Sequence, residues 1–168
     1  MNHSERERLF LELFHQQKAR IQRLCYGYTN SAHESEDLFQ EIMTNVWTSL
    51  PGFRGDAQPG TWLYRIAVNT ALMHRRKYRP TEELPDLPDS AVGPQQNLEQ
   101  QERLAALHGA IATLADQDRV IVTLLLEGLS YKEIADITGI TVNYVGVKIN
   151  RIKQAIEHRL LEVSHGAV

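Results

Sequence analysis

Residues 130–156 read SYKEIADITGITVNYVGVKINRIKQAI and are the most informative stretch of the chain for its fold. Ser130 and Glu133 have the spacing of a capping box, which predicts a short helix through residue 138. Gly139 is predicted to end that helix, and the small residue Ala135 stands four positions before it. Two helices that cross closely need a small residue in the first helix and a glycine in the turn. The segment therefore predicts a helix-turn-helix.

The second helix of this unit is predicted from about residue 142 to residue 161, with Thr141 as its N-cap. Its exposed side carries hydrogen-bond donors of the kind that contact phosphates and base edges in a major groove. These donors are Asn143, Tyr144, Lys148, Arg151 and Lys153. The alternative is a helical hairpin in an unrelated bundle, with the basic residues as an ordinary solvated face.

Three further helices are predicted upstream, because apolar residues recur there at intervals of three and four. The first covers residues 9–28, and the second follows a capping-box pattern that begins at Ser31. Residues 51–60 hold three of the ten glycines and two of the six prolines, which indicates a loop. Thr61 is the predicted cap of the third helix, which extends to about residue 78.

A domain boundary is predicted after the third helix, because residues 80–97 hold four of the six prolines and scarcely any bulky apolar residue. Two more helices follow at residues 98–115 and 116–127, the second with Asp116 as its N-cap candidate. The predicted fold is all-α: two small helical domains joined by a flexible acidic linker, the C-terminal one containing the helix-turn-helix. The predicted boundaries are 1–78 for the first domain, 79–101 for the linker and 102–168 for the second domain.

Charge is distributed unevenly along the chain. The formal net charge is -3, from 18 Lys and Arg against 21 Asp and Glu, which on its own argues against a nucleic-acid-binding protein. Residues 24–53 nevertheless contain acids and no Lys or Arg, while residues 57–81 contain bases and no Asp or Glu. Trp62 is one of several aromatic residues among those bases, and cations beside rings suit single-stranded nucleic acid. The alternative is that Trp62 belongs to the core and the bases are a solvated helix end.

Catalytic patterns are not found in the sequence. It has no glycine-rich phosphate loop and no serine elbow, and its seven histidines lack paired ligand spacing. His33 and His74 are interpreted as surface or capping residues. An alternative class, a helical metal-dependent hydrolase that uses Glu36, Asp37 and Glu41, would lack a histidine and a second carboxylate cluster. The chain is therefore predicted to be a non-enzyme without a cofactor or a metal.

The cellular compartment is also predicted from simple features. Cys25 is the only cysteine, so neither a disulfide nor a cysteine-based metal site can form. The N-terminal residues are charged, unlike those of a signal peptide, and no apolar run is long enough to span a bilayer. These features predict a cytoplasmic protein without membrane insertion.

Four blocks of sequence form a recognisable set: SEDLFQEI at 35–42, FRGD at 53–56, TWLYRIAVNT at 61–70 and EGLSYKEIADITGI at 127–140. Together they resemble the bacterial sigma-70 family, extracytoplasmic-function (ECF) subgroup. Their order and separation make the resemblance specific, whereas a helix-turn-helix alone fits many regulators. The resemblance implies a promoter-specificity subunit of RNA polymerase whose two domains read the -10 and -35 promoter elements.

The resemblance also implies partners and site residues. The partners are core RNA polymerase, through the clamp coiled coil and the flap of its large subunits, promoter DNA, and an anti-sigma factor. The implied polymerase-binding residues are Asp37, Leu38, Gln40, Glu41 and Asn45. The implied residues for the -10 element, where relatives capture a flipped base, are Arg54, Asp56, Gln58, Trp62, Arg65, Asn69, Arg75, Arg76 and Lys77. Those for the -35 element are Ser130, Tyr131, Lys132, Asn143, Tyr144, Lys148, Asn150, Arg151 and Lys153.

One departure from the family concerns Gly146 and Val147, where many relatives have an arginine and a serine. The -35 sequence of relatives therefore does not transfer to this chain. A glycine inside a helix costs about 1 kcal/mol relative to alanine, and a close approach of the backbone to DNA or to a partner helix would account for it.

The alternative function is a stand-alone helix-turn-helix regulator with a sensing N-terminal domain. Such a regulator would bind duplex operator by itself, whereas the sigma factor is expected to bind little DNA when free.

The predicted acidic linker resembles the family segment that threads the RNA exit path of the polymerase, where negative charge mimics RNA. The alternative is an ordinary tether between the two domains.

Overall fold

A computed structural model describes residues 1–29, 31–77 and 98–166 of the chain. Within these ranges it contains helices and no strand, so the predicted all-α fold is confirmed. The chain divides into two compact units. The helices of the first unit are α1 (His3–Tyr28), α2 (Ala32–Ser49), a 3-10 turn (Leu50–Gly52) and α3 (Pro59–Lys77). Those of the second are α4 (Leu98–Ala112), α5 (Asp116–Leu126), α7 (Val142–His165) and most of α6 (Tyr131–Thr138).

The first unit is a three-helix bundle in which α1, α2 and α3 pack against one another. Apolar residues at helical spacing on each helix meet in one core, as the 3.6-residue period requires. The fully buried side chains here include Ile21, Leu24, Leu38, Ile42, Val46, Leu50 and Leu63. The polar residues of α2 and the basic residues of α3 are thereby left on the outside of the bundle.

The first helix begins at His3 and not at Leu9, where the apolar pattern starts. Asn2 and Glu5 form a capping box: the Glu5 amide donates to Asn2 Oδ1 at 2.8 Å, and the Asn2 amide donates to Glu5 Oε2 at 2.9 Å. One turn later Arg6 stacks over the Trp47 ring at 4.0 Å and donates to the Trp47 carbonyl. The added turn is therefore held by polar and cation–π contacts that an apolar period does not reveal.

Two of the predicted helix caps are wrong. Helix α3 begins at Pro59, so Thr61 lies inside its first turn, and the Trp62 amide donates to the Gln58 carbonyl at 3.0 Å. A proline fits the first turn because its missing N–H would have no helical partner there. Ala115 precedes α5 as its N-cap, and Asp116 is the first helical residue, where a carboxylate favours the positive end of the helix dipole.

The second unit packs α4 and α5 against α7. Its fully buried side chains include Ile121, Leu124, Ile134, Val145 and Ile149. Helix α4 begins at Leu98, as the predicted helix over 98–115 does, so residues 98–101 belong to α4 and the predicted linker bound of 101 is too late. Most of the predicted linker, residues 79–97, lies outside the described residues. Helix α4 ends at Ala112, three residues earlier than predicted, and α7 continues to His165.

Candidate nucleic-acid and polymerase interfaces

The polar face of α2 is the implied polymerase-binding surface. Ser31 begins this helix by accepting a hydrogen bond from the Glu34 amide at 3.1 Å, so Ser31 is confirmed as the N-cap. Of the predicted capping box, only this serine half is seen, and Glu34 Oε1 instead lies 3.3 Å from His74 Nε2. Asp37, Gln40 and Glu41 are exposed on the helix. We call these three residues the α2 acidic face. It carries two carboxylates and no base, which suits a partner surface of positive charge.

Two of the implied polymerase-binding residues do not lie freely on that face. Leu38 is 0% exposed and belongs to the core, so its side chain cannot reach a partner while the bundle is folded. Asn45 is half-buried, and its Nδ2 donates to Thr70 Oγ1 at 3.0 Å. Thr70 Oγ1 in turn donates to the Ile66 carbonyl at 2.7 Å. Asn45 therefore links α2 to α3.

His74 is buried beneath the acidic face, contrary to its interpretation as a surface residue. It is 7% exposed, with Nε2 at 3.3 Å from Glu34 Oε1 and Nδ1 at 3.5 Å from Glu41 Oε2. His74 follows Ala67 and Ala71 at the i, i+4, i+7 spacing of one helical face. Because the two alanines lie on the buried face of α3, this spacing could have indicated that His74 is buried. His74 thus ties α3 to two carboxylates of α2, one of which belongs to the α2 acidic face.

The implied -10 residues lie in the loop before α3 and along α3. Arg54, Asp56 and Gln58 are exposed in the loop. Trp62 is half-buried and packs on Phe53, with the ring centroids 5.0 Å apart and the planes tilted by 49°. The ring therefore anchors the loop to the helix and remains partly accessible.

Helix α3 presents an exposed face that begins with Arg65 and Asn69, one helical turn apart. Arg76 and Lys77 are exposed in its last turn, and Arg75 is half-buried. Cations at this end also interact favourably with the negative end of the helix dipole, so part of their role concerns helix stability. We call Arg65, Asn69, Arg76 and Lys77 the α3 basic face. It combines positive charge with an amide able to hydrogen-bond to a base edge.

The helix-turn-helix of the second unit has the predicted local geometry. The Glu133 amide donates to Ser130 Oγ at 3.2 Å, and the Ser130 amide donates to Glu133 Oε2 at 2.7 Å, which completes the capping box. Gly139 adopts φ +77°, a left-handed conformation that other residues rarely adopt, and its amide donates to the Ala135 carbonyl. Thr141 Oγ1 accepts from the Tyr144 amide at 3.1 Å. All three predicted caps are confirmed.

Helix α7 buries Val145, Ile149 and Ile152 and turns polar residues outward. The exposed residues among those implied for the -35 element are Ser130, Tyr131, Lys132, Asn143, Tyr144, Asn150, Arg151 and Lys153. They lie at the start of α6 and along the first three turns of α7. This is the part of a helix-turn-helix that meets DNA.

Lys148, an implied -35 residue, forms a salt bridge inside the second unit. Its Nζ lies 2.8 Å from Asp118 Oδ1 and 5.6 Å from the Tyr144 ring centroid. The hydrogen bond to Asp118 raises the pKa of Lys148 above its usual 10.5. The ammonium group therefore holds α7 to α5. Since the two residues are 30 positions apart, no local pattern in the sequence indicates the pair.

Two negative findings apply to the residues described. Within 1–29, 31–77 and 98–166, no group of three or more His, Cys, Asp or Glu side chains is arranged to hold a metal ion. Across the same ranges, no helix combines the length and the apolar character needed to cross a membrane.

The two units together define a class: an all-helical protein that combines a three-helix bundle, acidic on one helix and basic on another, with a helix-turn-helix. Comparison with known proteins identifies its family. Residues 13–81 match the family model of Sigma-70 region 2, and residues 104–156 match that of Sigma-70, region 4. The chain belongs to the sigma-70 family, in its ECF group.

Curated sigma factors are similar to this chain over most of its length. RNA polymerase sigma-H factor of Pseudomonas aeruginosa is 32% identical over 151 residues, which cover 82% of this chain and 78% of the relative. ECF RNA polymerase sigma factor SigW of Bacillus subtilis is 29% identical over 160 residues, covering 87% and 86%. SigE of Mycolicibacterium smegmatis is 36% identical over 163 residues, covering 91% of this chain but 62% of its own length. Because the family models and these relatives are all sigma factors, the function of this chain is promoter-directed transcription initiation. The alternative, a stand-alone regulator, is not favoured.

Solved structures support the same fold. CnrH, solved in complex with the cytosolic domain of CnrY, matches with a TM-score of 0.70 at 20% identity, over 94% of this chain and 90% of that one. The sigma factor RpoE of Bartonella quintana, solved with the anti-sigma factor NepR, matches with a TM-score of 0.67 at 19% identity, over 90% and 98%.

Proposed function

We propose that this chain docks on core RNA polymerase through the α2 acidic face, holds the unpaired -10 strand on the α3 basic face, and reads the -35 duplex with α6 and α7. One observation carries the proposal: a single three-helix bundle keeps acidic and basic surfaces on different helices. A docking surface and a DNA surface of opposite charge can thus operate together without competing for the same partner. The chain needs no catalysis for this role, and we place its action in the cytoplasm.

Promoter opening follows from a difference in affinity. A protein that binds an unpaired strand and an extruded base more tightly than duplex shifts the melting equilibrium by that difference. Extruding a base costs a few kcal/mol of stacking and pairing, which contacts to the flipped base must offset. Asn69 supports this step because its exposed amide offers both a donor and an acceptor. Arg65, Arg76 and Lys77 supply the cations that neutralise the strand's phosphates.

Polymerase docking is proposed for Asp37, Gln40 and Glu41. The approach of His74 Nδ1 to Glu41 Oε2, at 3.5 Å, supports it, since a carboxylate beside a buried side chain loses less orientational freedom when the polymerase binds. The clamp coiled coil is the proposed contact for this face, and the flap is the proposed contact for the second unit. Charge complementarity of this kind mainly raises the association rate and fixes the orientation.

An inhibitory protein partner is also proposed. CnrH and RpoE were each solved with a second protein, CnrY and the anti-sigma factor NepR. An anti-sigma factor for this chain would cover the α2 acidic face, the α3 basic face, or both, and so block the polymerase and promoter together.

The test is run-off transcription with purified core RNA polymerase and the full chain on genomic promoter fragments. We expect specific transcripts from a subset of fragments, and none from core enzyme alone. If the chain added no specific initiation on any fragment, the proposal would be refuted.

A second experiment isolates the base-capture step. Asn69→Ala should weaken open-complex formation, measured by permanganate reactivity of unpaired thymines, more than it weakens binding to a duplex promoter that cannot melt. Gln22→Ala removes an exposed amide from α1 of the same unit and serves as the matched control. Equal loss of both activities in Asn69→Ala would count against base capture.

A further inference from the structure

Three exposed residues of α7 lie on the side of the helix opposite its buried residues. Asn143, Val147 and Asn150 follow the i, i+4, i+7 spacing that places side chains on one helical face. All three are exposed, and Val147 is 44% exposed. We call them the α7 reading face. The core side of the same turns is formed by Val145, Ile149 and Ile152.

The α7 reading face carries no ionised group. Guanine is most often recognised by a bidentate Arg or Lys, and neither occurs among these three residues. An asparagine amide pairs instead with N6 and N7 of adenine, and an apolar side chain contacts the methyl group of thymine. Two amides on either side of one valine are therefore chemically complementary to A·T base pairs.

The residue next to Val147 is Gly146, so the backbone of α7 carries no side chain of its own at that position. A Cβ built at Gly146 would lie 3.7 Å from Tyr131 Cε2, which is ordinary van der Waals contact. The rest of the chain would therefore accept alanine, which is a better helix former than glycine. A surface outside the chain that approaches the backbone at this point would account for the glycine.

We propose that the α7 reading face recognises A·T base pairs in the major groove of the -35 element, with Val147 against a thymine methyl group and Asn143 and Asn150 on adenine edges. Gly146 provides the clearance for this approach. The proposal rests on the proposed function and adds the class of base pair that the second unit selects.

The first experiment determines the preferred sequence. Core RNA polymerase reconstituted with the full chain would transcribe a promoter library whose -35 region is randomised, and the productive templates would be sequenced. We expect A·T pairs to be enriched at two or more adjacent positions. If G·C pairs dominated throughout the selected element, the proposal would be overturned.

The second experiment removes only the thymine methyl, by placing deoxyuridine at each selected thymine in turn. At one position we expect initiation at limiting template to fall about fourfold, the factor that corresponds to one buried methyl group. Val147→Ala should be insensitive to that replacement. Val163→Ala, which truncates an exposed valine near the far end of the same helix, should keep the sensitivity of the unaltered chain.

Adenine recognition is tested in the same way with 7-deazaadenine, which lacks the N7 acceptor. Replacement at the contacted adenine should lower initiation about tenfold for the unaltered chain and much less for the matching variant, Asn143→Ala or Asn150→Ala. Circular dichroism would establish that these variants fold. Undiminished sensitivity in every variant would overturn the proposal.

The outcomes separate this inference from the function on which it rests. Specific initiation that ignores both base analogues would overturn the inference and leave the proposed function standing. If no template in the library gave specific initiation, both would be refuted.

Discussion

Replacing Gly146 with alanine should stabilise the folded chain and weaken promoter recognition at the same time. Gly146 lies well inside α7, where an alanine is favoured over glycine by about 1 kcal/mol. The nearest side-chain atoms to the new methyl group would be Tyr131 Cε2 at 3.7 Å and Cδ2 at 3.9 Å, so no atom has to move. The propensity gain should therefore appear almost in full as free energy of unfolding.

The stabilisation is measured by urea unfolding of the full chain, followed by circular dichroism. A gain of about 1 kcal/mol should also raise the melting temperature of a domain of this size by about 4–8 °C. Promoter binding by the reconstituted holoenzyme should fall about fivefold or more, because an added methyl in a closely packed interface costs about 1–3 kcal/mol.

The matched control is Gly109→Ala in α4. A Cβ there would meet nothing within 4 Å, and the residue is exposed, so this variant should also gain stability while promoter binding stays unchanged. A lower free energy of unfolding for Gly146→Ala would show that the chain itself requires the glycine and would refute the reasoning. Greater stability with unchanged promoter binding would show that no partner approaches there.

Three further predictions concern the interior of each unit. Burial raises the pKa of the Cys25 thiol to about 12, so iodoacetamide at pH 8 should alkylate it only after unfolding in urea, as mass spectrometry would show. The Asp118 contact raises the pKa of Lys148 above 10.5, so the contribution of this pair to stability is complete below pH 10.5 and is lost as the pH rises through the folded-state value. Lys148→Met should therefore cost less than about 1 kcal/mol at pH 8, and the difference from the unaltered chain should narrow in more alkaline urea titrations. Asn45→Ala removes the hydrogen bond to Thr70 and should lower the free energy of unfolding by about 1 kcal/mol, whereas the exposed Gln40→Ala should leave it unchanged.

The features that sequence reasoning predicted well are those with short-range signals. The caps at Ser31, Ser130 and Thr141 and the left-handed Gly139 depend on residues within a few positions of each other, and all of them are confirmed. The start of α3 was missed because Thr61 has the side chain of a cap, while the stronger constraint is a proline two residues earlier.

The contacts that sequence reasoning missed join residues far apart in the chain. Lys148 with Asp118, and His74 with Glu34, connect helices whose relative rotation is set by core packing. A basic residue on a recognition helix therefore looks the same in sequence whether it awaits a phosphate or is already paired. Leu38 shows a related error: it lies within a family motif and was therefore assigned to the polymerase interface, but its side chain is buried in the core.

Under the proposed function, the paired state of Lys148 helps to explain how a DNA-binding subunit can remain inactive alone. Each contact between a cation and a phosphate releases counterions and so raises the affinity for DNA. Because Asp118 holds Lys148, the free protein has about one such contact fewer with which to bind DNA. The net charge of -3 also opposes non-specific binding. Two modules of weak affinity bind tightly only when a common scaffold presents both DNA elements at once, because the second contact then occurs at high effective concentration. Polymerase is that scaffold, and promoter selectivity therefore depends on assembly of the holoenzyme.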